Sequence, residues 1–198
     1  LNLNKLVEEK KIENEYGRSQ KPFNLFSPSQ VGYCKRQMYN RKFNLTTMDR
    51  YVKGILHDGT RHHFWHEHNL PELVEDRGLT TEMRVKTRLR LGNEDFDLYV
   101  SGYADAVDTE GNVYDHKYTS NTSYVKSEPK KKDRRQVLMY LFAIDGVHTG
   151  QLEYCQADRQ HNSDDQVVHT IEWDEEEFKE VVDRMRQVAK AVQEREGT

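Results

Sequence analysis

Little in this 198-residue sequence could anchor it in a membrane, cross-link it covalently or draw it as a whole onto a polyanion. No run approaches the roughly 18 consecutive apolar residues of a membrane-spanning helix. The opening Leu1-Asn-Leu-Asn-Lys-Leu-Val-Glu-Glu-Lys-Lys11 lacks the apolar centre of a secretory signal. These absences predict a cytoplasmic protein with no membrane partner. Cysteine is scarce: Cys34 and Cys155 lie far apart, which excludes a disulfide framework and matches no CxxC metal pattern. Excess positive charge is missing too. The formal net charge is −4, so attraction to a nucleic acid must come from local basic patches.

What is present is charge of both signs, 32% of residues against 35% apolar, in a chain long enough for one domain with a sizeable core. Two stretches are locally basic. Cys34–Lys42 holds Lys35, Arg36, Arg41 and Lys42 with no acid. Lys126–Arg135 holds six positive residues, among them Lys130, Lys131, Arg134 and Arg135, against two negative ones. Such runs ordinarily mark a solvated face, and only proximity to a site gives them another meaning.

Along the chain, residues 3–16 pattern as a charged N-terminal helix, and residues 1–26 as an extension preceding the main domain at 27–198. Ser27-Pro-Ser-Gln30 combines an N-cap, a proline at the first helical position and a capping-box glutamine. It predicts a helix over 28–42 with Val31, Cys34 and Met38 on its buried stripe. A second helical stretch spans about 48–68. From 80 to 118 the texture alternates, with turns at Gly92-Asn93 and Thr109-Glu-Gly111, as in a three-stranded antiparallel meander. A helix over 131–145 follows with Val137, Leu138, Leu141 and Phe142 as its apolar face, then strands at 150–157 and 166–173. A last helix begins at the Asp174/Glu177 capping pair, with Phe178, Val181, Val182, Met185, Val188, Ala189 and Val192 on one side. The fold class is mixed α/β, a single domain.

An acid two residues before a lysine occurs five times, so the triplet Asp115-His-Lys117 needs context. It alone lies in a predicted strand with a further acid, Asp105, in the strand before. A three-residue loop at Thr109-Glu-Gly111 would pair Asp108 with Asn112 and put Asp105 opposite Asp115, with Lys117 on the same face. Carboxylates directly opposed across a strand pair repel. A hard divalent cation, Mg²⁺ or Mn²⁺, would remove that repulsion and activate a water, which Lys117 would help to hold and orient. The same three residues also fit an ordinary wet sheet face. Gln136 and Tyr140, four apart on one helix face, could bind a phosphate or base, or be plain helix surface. His62 and His66 have helical zinc-ligand spacing but no evident third ligand.

Taken in order, Ser27-Pro-Ser-Gln-Val-Gly-Tyr-Cys34 with Arg36, Gly54-x-x-His57, Gly102-Tyr-Ala-Asp105, Asp115-His-Lys117 and Gln136-x-x-x-Tyr140 resemble the RecB-like branch of the PD-(D/E)XK nucleases. The likeness is especially to the CRISPR-associated exonuclease family and its phage-borne relatives. The resemblance implies a restriction-endonuclease-like core: a mixed sheet with an antiparallel meander, flanked by helices. It implies that His57, Asp105, Asp115 and the main-chain carbonyl of His116 hold the metal, that Lys117 acts on the attacking water, and that Gln136 and Tyr140 touch DNA. Glu82 corresponds to an acid that supports the site in some relatives. Many members hold an iron–sulfur cluster with one early and three late cysteines; here Cys34 has no such trio, so a cluster-free relative is expected, with Cys34 a packing residue.

The expected activity is a metal-dependent exonuclease acting on single-stranded or frayed DNA in recombination, repair or phage–host conflict, with both basic patches contacting the backbone. A trimming endonuclease within a larger complex, such as a CRISPR-type or recombination assembly, and a catalytically silent DNA-binding subunit are the competing expectations.

Overall fold

The computed structural model describes residues 22–43, 78–91, 95–119, 121–156 and 166–196. The helices expected over 3–16 and 48–68, with His57, His62 and His66, lie outside the described residues. In chain order the elements are strand β1 (Leu25–Phe26), helices α1 (Pro28–Val31) and α2 (Lys35–Lys42), and strands β2 (Thr80–Leu89), β3 (Leu98–Val107) and β4 (Asn112–Thr119). A short 3₁₀ turn (Thr122–Val125), helix α3 (Lys131–Ala143), strands β5 (Thr149–Gln156) and β6 (Val167–Ile171) and helix α4 (Glu175–Glu196) complete it.

The expected meander forms, and the other two expected strands together with β1 extend it into one mixed sheet of six. β2 pairs antiparallel with β3 along its length, from Thr80↔Val107 to Leu89↔Leu98. The opposite edge of β3 is shared. At one end β1 pairs with it in parallel through Tyr99 and Val100, so residues 25 and 26, which the sequence grouped with the N-terminal extension, belong to the sheet. At the other end β4 pairs antiparallel through Ala106↔Tyr114 and Val107↔Val113. β5 then joins β4 in parallel over eight pairs, Asn112↔Thr149 to Thr119↔Gln156, and β6 closes the edge antiparallel. A parallel neighbour requires a crossover, and α3 supplies it.

The β3–β4 turn has the expected register. The Asp108 amide donates to the Asn112 carbonyl at 3.0 Å, and Gly111 takes a left-handed φ of +85°. The Asp108 carboxylate accepts the amides of Glu110 (2.9 Å) and Asn112 (2.8 Å), a side-chain-closed turn.

The helix expected over 28–42 is two helices. The Ser27 amide donates to Gln30 Oε1 at 3.1 Å as the capping pattern requires, but the chain turns at Gly32–Cys34. A Cβ on Gly32 would stand 2.0 Å from the main-chain oxygen of Lys132, so α3 presses directly on this backbone. The break resets the helical period. Val31 and Met38 are buried as expected, whereas Cys34 is exposed, its thiol 3.4 Å from Gln37 Oε1. It is a helix-capping position, not a packing residue.

The core runs through Val137, Leu138 and Leu141 of α3 and through Phe178, Val181, Met185, Val188, Ala189 and Val192 of α4, spaced at the expected three and four residues. Asp174 Oδ1 accepts the Glu177 amide at 2.9 Å, capping α4 as expected. Phe142 departs from its expected place. It is 41% exposed and stacks on Phe178, centroids 4.6 Å apart. Helix α4 lies against α2, where Lys35 Nζ donates to Gln187 Oε1 at 2.7 Å. No described helix is long and apolar enough to cross a membrane.

Candidate active site

Asp105 sits where the sheet comes apart. Continuing the β3–β4 register by one step sets Asp105 opposite Asp115, but the ladder ends at Ala106↔Tyr114. Instead, Asp105 Oδ2 accepts the His116 amide at 2.7 Å, so a side chain takes over from the backbone ladder. The other edge of β3 also skips this level: β2 pairs through Thr81↔Ala106 and Met83↔Ala104, and between them Glu82 has φ +50°. A non-glycine residue in the left-handed region costs of order 1–3 kcal/mol and is found where function demands it. Both neighbours of Asp105 therefore give way at one level.

Asp115 is fully buried. Its Oδ1 accepts from Gln136 Nε2 at 3.0 Å, and the same amide group lies 2.6 Å from the Tyr140 hydroxyl. Tyr140 in turn donates to the main-chain oxygen of Tyr103 at 2.9 Å. This chain ties α3 to β4 and β3. Gln136 and Tyr140, expected to touch DNA, are 7% and 1% exposed, so they position the carboxylates from behind. Their helical spacing puts them on one face as expected, but that face points inward, because α3 is a crossover with the sheet beneath it.

Lys117 Nζ lies 2.6 Å from Asp115 Oδ2 as an ion pair, and this buried oxygen has no other donor among the described residues. Burial pushes the Asp115 carboxyl up to about 7, against the opposing pull of Lys117, with Asp105 adding to the rise. Burial alone would lower Lys117, but Asp115 and Asp105 outweigh it and hold its ammonium above the usual lysine value. Lys117 is therefore a cation at neutral pH, able to donate and to stabilise negative charge but not to accept a proton. The His116 ring turns the other way, Nδ1 2.6 Å from Glu153 Oε2. Burial opposes its charge; Glu153 prevails and raises its pKa. Its imidazole therefore belongs to a different contact from the Asp105–Asp115 pair.

Two carboxylates from adjoining strands, one with a buried oxygen whose only partner among the described residues is the Lys117 ammonium, are hard ligands suited to Mg²⁺ or Mn²⁺. Among the described residues no group of three or more His, Cys, Asp or Glu side chains forms a complete metal cage, and His57 is not among those residues.

Of the basic residues singled out, several are engaged. Arg135 is 7% exposed, with Nε 2.9 Å from Glu177 and NH2 3.0 Å from Glu180; Arg134 pairs with Asp174 at 3.0 Å and with Glu177. These two tie α3 to α4, a partnership across forty residues that composition could not reveal. Arg41 lies over the Tyr33 ring, 4.2 Å from its centroid. Lys130 Nζ is 3.4 Å from Thr119 Oγ1. Lys35, Arg36, Lys130 and Lys131 are exposed.

The raised Asp115 makes a pH prediction. Folded protein retains this proton between about pH 4 and 7 while unfolded chain releases it, so without metal stability falls as pH rises through that window. In EDTA the wild-type melting temperature should fall as pH rises from about 4 to 8, and Asp115→Asn, which has no carboxyl to titrate there, should show a flatter dependence. Equal melting curves at both pH values would contradict the burial argument.

A single mixed sheet that opens at one level to present two carboxylates and a lysine, backed by a crossover helix, defines a restriction-endonuclease-like nuclease core. The chain belongs to the PD-(D/E)XK nuclease superfamily, whose family model matches residues 27–197. Solved structures agree on the fold. The crystal structure of SSO0001 aligns with TM-score 0.62 at 18% identity, covering 96% of this chain and 87% of that one. An alkaline exonuclease from Laribacter hongkongensis aligns with TM-score 0.58 at 10% identity over 87% and 90% of the two chains. The same exonuclease in complex with dAMP aligns with TM-score 0.54 at 10% identity, over 86% and 88%. No curated protein matches this chain.

Proposed function

We propose that this nuclease is a Mg²⁺- or Mn²⁺-dependent deoxyribonuclease, a cluster-free RecB-like member that degrades single-stranded or frayed DNA from an end. The observation that carries the reading is the cluster at the broken ladder: Asp105 accepts the amide of His116, the residue next to Asp115, and Lys117 touches the buried Asp115 oxygen that has no other donor among the described residues. Asp105, Asp115 and the His116 carbonyl would hold the metal, together with His57. Bound there, it would supply Lewis acidity toward a phosphate oxygen and lower the pKa of a water. Lys117 keeps its proton, so it orients the nucleophile and offsets charge growing on the phosphate. Gln136 fixes the Asp115 carboxylate and Tyr140 fixes Gln136, which holds the geometry before substrate arrives. The exposed Arg36 and Lys131 are the backbone contacts this reading retains.

End-labelled linear and circular single-stranded DNA, incubated with Mn²⁺ and with EDTA, test it. Linear DNA should be shortened from an end in Mn²⁺ and remain intact in EDTA, while circles survive. Cleavage of circles would make the enzyme an endonuclease. DNA bound but uncut under every metal tried would mark a silent subunit.

A further inference from the structure

Tyr103 is 54% exposed, an unusual position for a tyrosine in the middle of a central strand. Its neighbours Ala104 and Ala106 are buried on the opposite face, so alternation puts Tyr103 on the face of Asp105, about 7 Å along the strand. Among the described residues its side chain makes no hydrogen bond, ion pair or ring contact. Its backbone, by contrast, is held tightly: it pairs with Arg84 across the β2 ladder, and its carbonyl receives the Tyr140 hydroxyl at 2.9 Å. The ring is thus held on a fixed backbone with a face open to solvent, on the sheet face of Asp105 and beside the exposed Arg84.

We infer that Tyr103 is a base-stacking platform, taking the nucleobase next to the phosphate engaged at Asp105 and Asp115 and thereby favouring unpaired over duplex DNA. The inference rests on the deoxyribonuclease reading and adds the residue that selects strandedness. Stacking is available to any base, since each has a π face, so this contact gives no sequence preference. A paired base keeps its own stacking neighbours and cannot reach the ring without being unstacked, which makes the contact selective for single strands and frayed ends. The link between Tyr103 and the catalytic carboxylates passes through Tyr140 and the backbone, so changing the Tyr103 side chain leaves that geometry in place.

Binding of fluorescent single-stranded and duplex oligonucleotides in EDTA, by anisotropy, and steady-state cleavage in Mn²⁺ test the inference with Tyr103→Ala, Tyr103→Leu and Tyr103→Phe. Tyr103→Ala should weaken single-strand binding on the order of tenfold (about 1.4 kcal/mol) and raise KM similarly with kcat little changed, while duplex binding stays within about twofold. Tyr103→Phe should match the wild type. Tyr103→Leu should behave as Tyr103→Ala, since bulk without a π face does not stack. Oligonucleotides carrying one abasic site, moved along the strand, should show one position where wild type binds weakly and Tyr103→Ala is no worse. Wild-type affinity in Tyr103→Ala, or equal losses on single strands and duplex, would overturn the stacking role while leaving the nuclease reading intact. A wild type that neither binds nor cuts DNA would instead overturn the deoxyribonuclease reading itself.

Discussion

Replacing Lys117 with Ala should reduce DNA cleavage about 10²–10⁴-fold while changing DNA affinity in EDTA by less than about threefold. The size follows from its position. Its Nζ is 2.6 Å from Asp115 Oδ2, and the two carboxylates keep it protonated, so in the proposed function it would supply a cation beside the phosphate. Removing it does two things at once. It deletes that cation, and it takes away the group opposing the burial of Asp115, so the carboxyl climbs above about 7 and is more fully protonated at neutral pH. A protonated carboxyl is a poor metal ligand. The Lys117→Ala enzyme should therefore recover part of its lost rate as pH is raised toward 9, more steeply than the wild type. Lys117→Arg should retain charge but not rate, because a planar guanidinium does not fit a space shaped for an ammonium. Single-turnover rates across pH in saturating Mn²⁺ measure both effects. Full activity in Lys117→Ala would remove this lysine from the chemistry.

The second large effect is expected far from any charge. Gly32→Ala sets a methyl 2.0 Å from the Lys132 carbonyl oxygen and 2.7 Å from its carbon, against helix backbone rather than a flexible side chain. Overpacking of this kind costs roughly 1–3 kcal/mol and sometimes more, and here neither α1 nor α3 can yield by a rotamer change. Melting should fall by on the order of 5–10 °C. Because α3 also carries Gln136 and Tyr140, pushing it outward loosens the hold on Asp115 at 3.0 Å, so cleavage should drop about tenfold or more even in protein that remains folded. Thermal unfolding and activity at a temperature well below the transition separate these two consequences. Unchanged stability would mean that α1 and α3 are not in close contact.

Local rules were enough for much of this molecule. The cap of α4 at Asp174, the turn at Gly111 and the pairing of Asp108 with Asn112 each depend on residues within a few positions of one another, where spacing and backbone preference act directly. The proximity of Asp105 and Asp115 follows from that turn. Other features depend on what lies across the fold. Gly32 has no room for a side chain because the main chain of residue 132, distant in sequence, lies against it. Arg134 and Arg135 read as a basic patch until α4 brings Glu177 and Glu180 to them. Gln136 and Tyr140 have the spacing of a surface pair, and only the parallel β4–β5 crossover turns that face inward.

The sequence by itself therefore determined the order of β2 to β6 with α3 and α4 and the β3–β4 hairpin register, and it nominated Asp105, Asp115 and Lys117 as a chemical centre, because these follow from period, turn chemistry and charge along the chain. Only the tertiary structure decided that both ladders open at Asp105, that Asp115 is buried beside a lysine, and which polar side chains face solvent. Burial and long-range pairing are properties of surfaces brought together from distant parts of the chain, and no local pattern encodes which surfaces those will be.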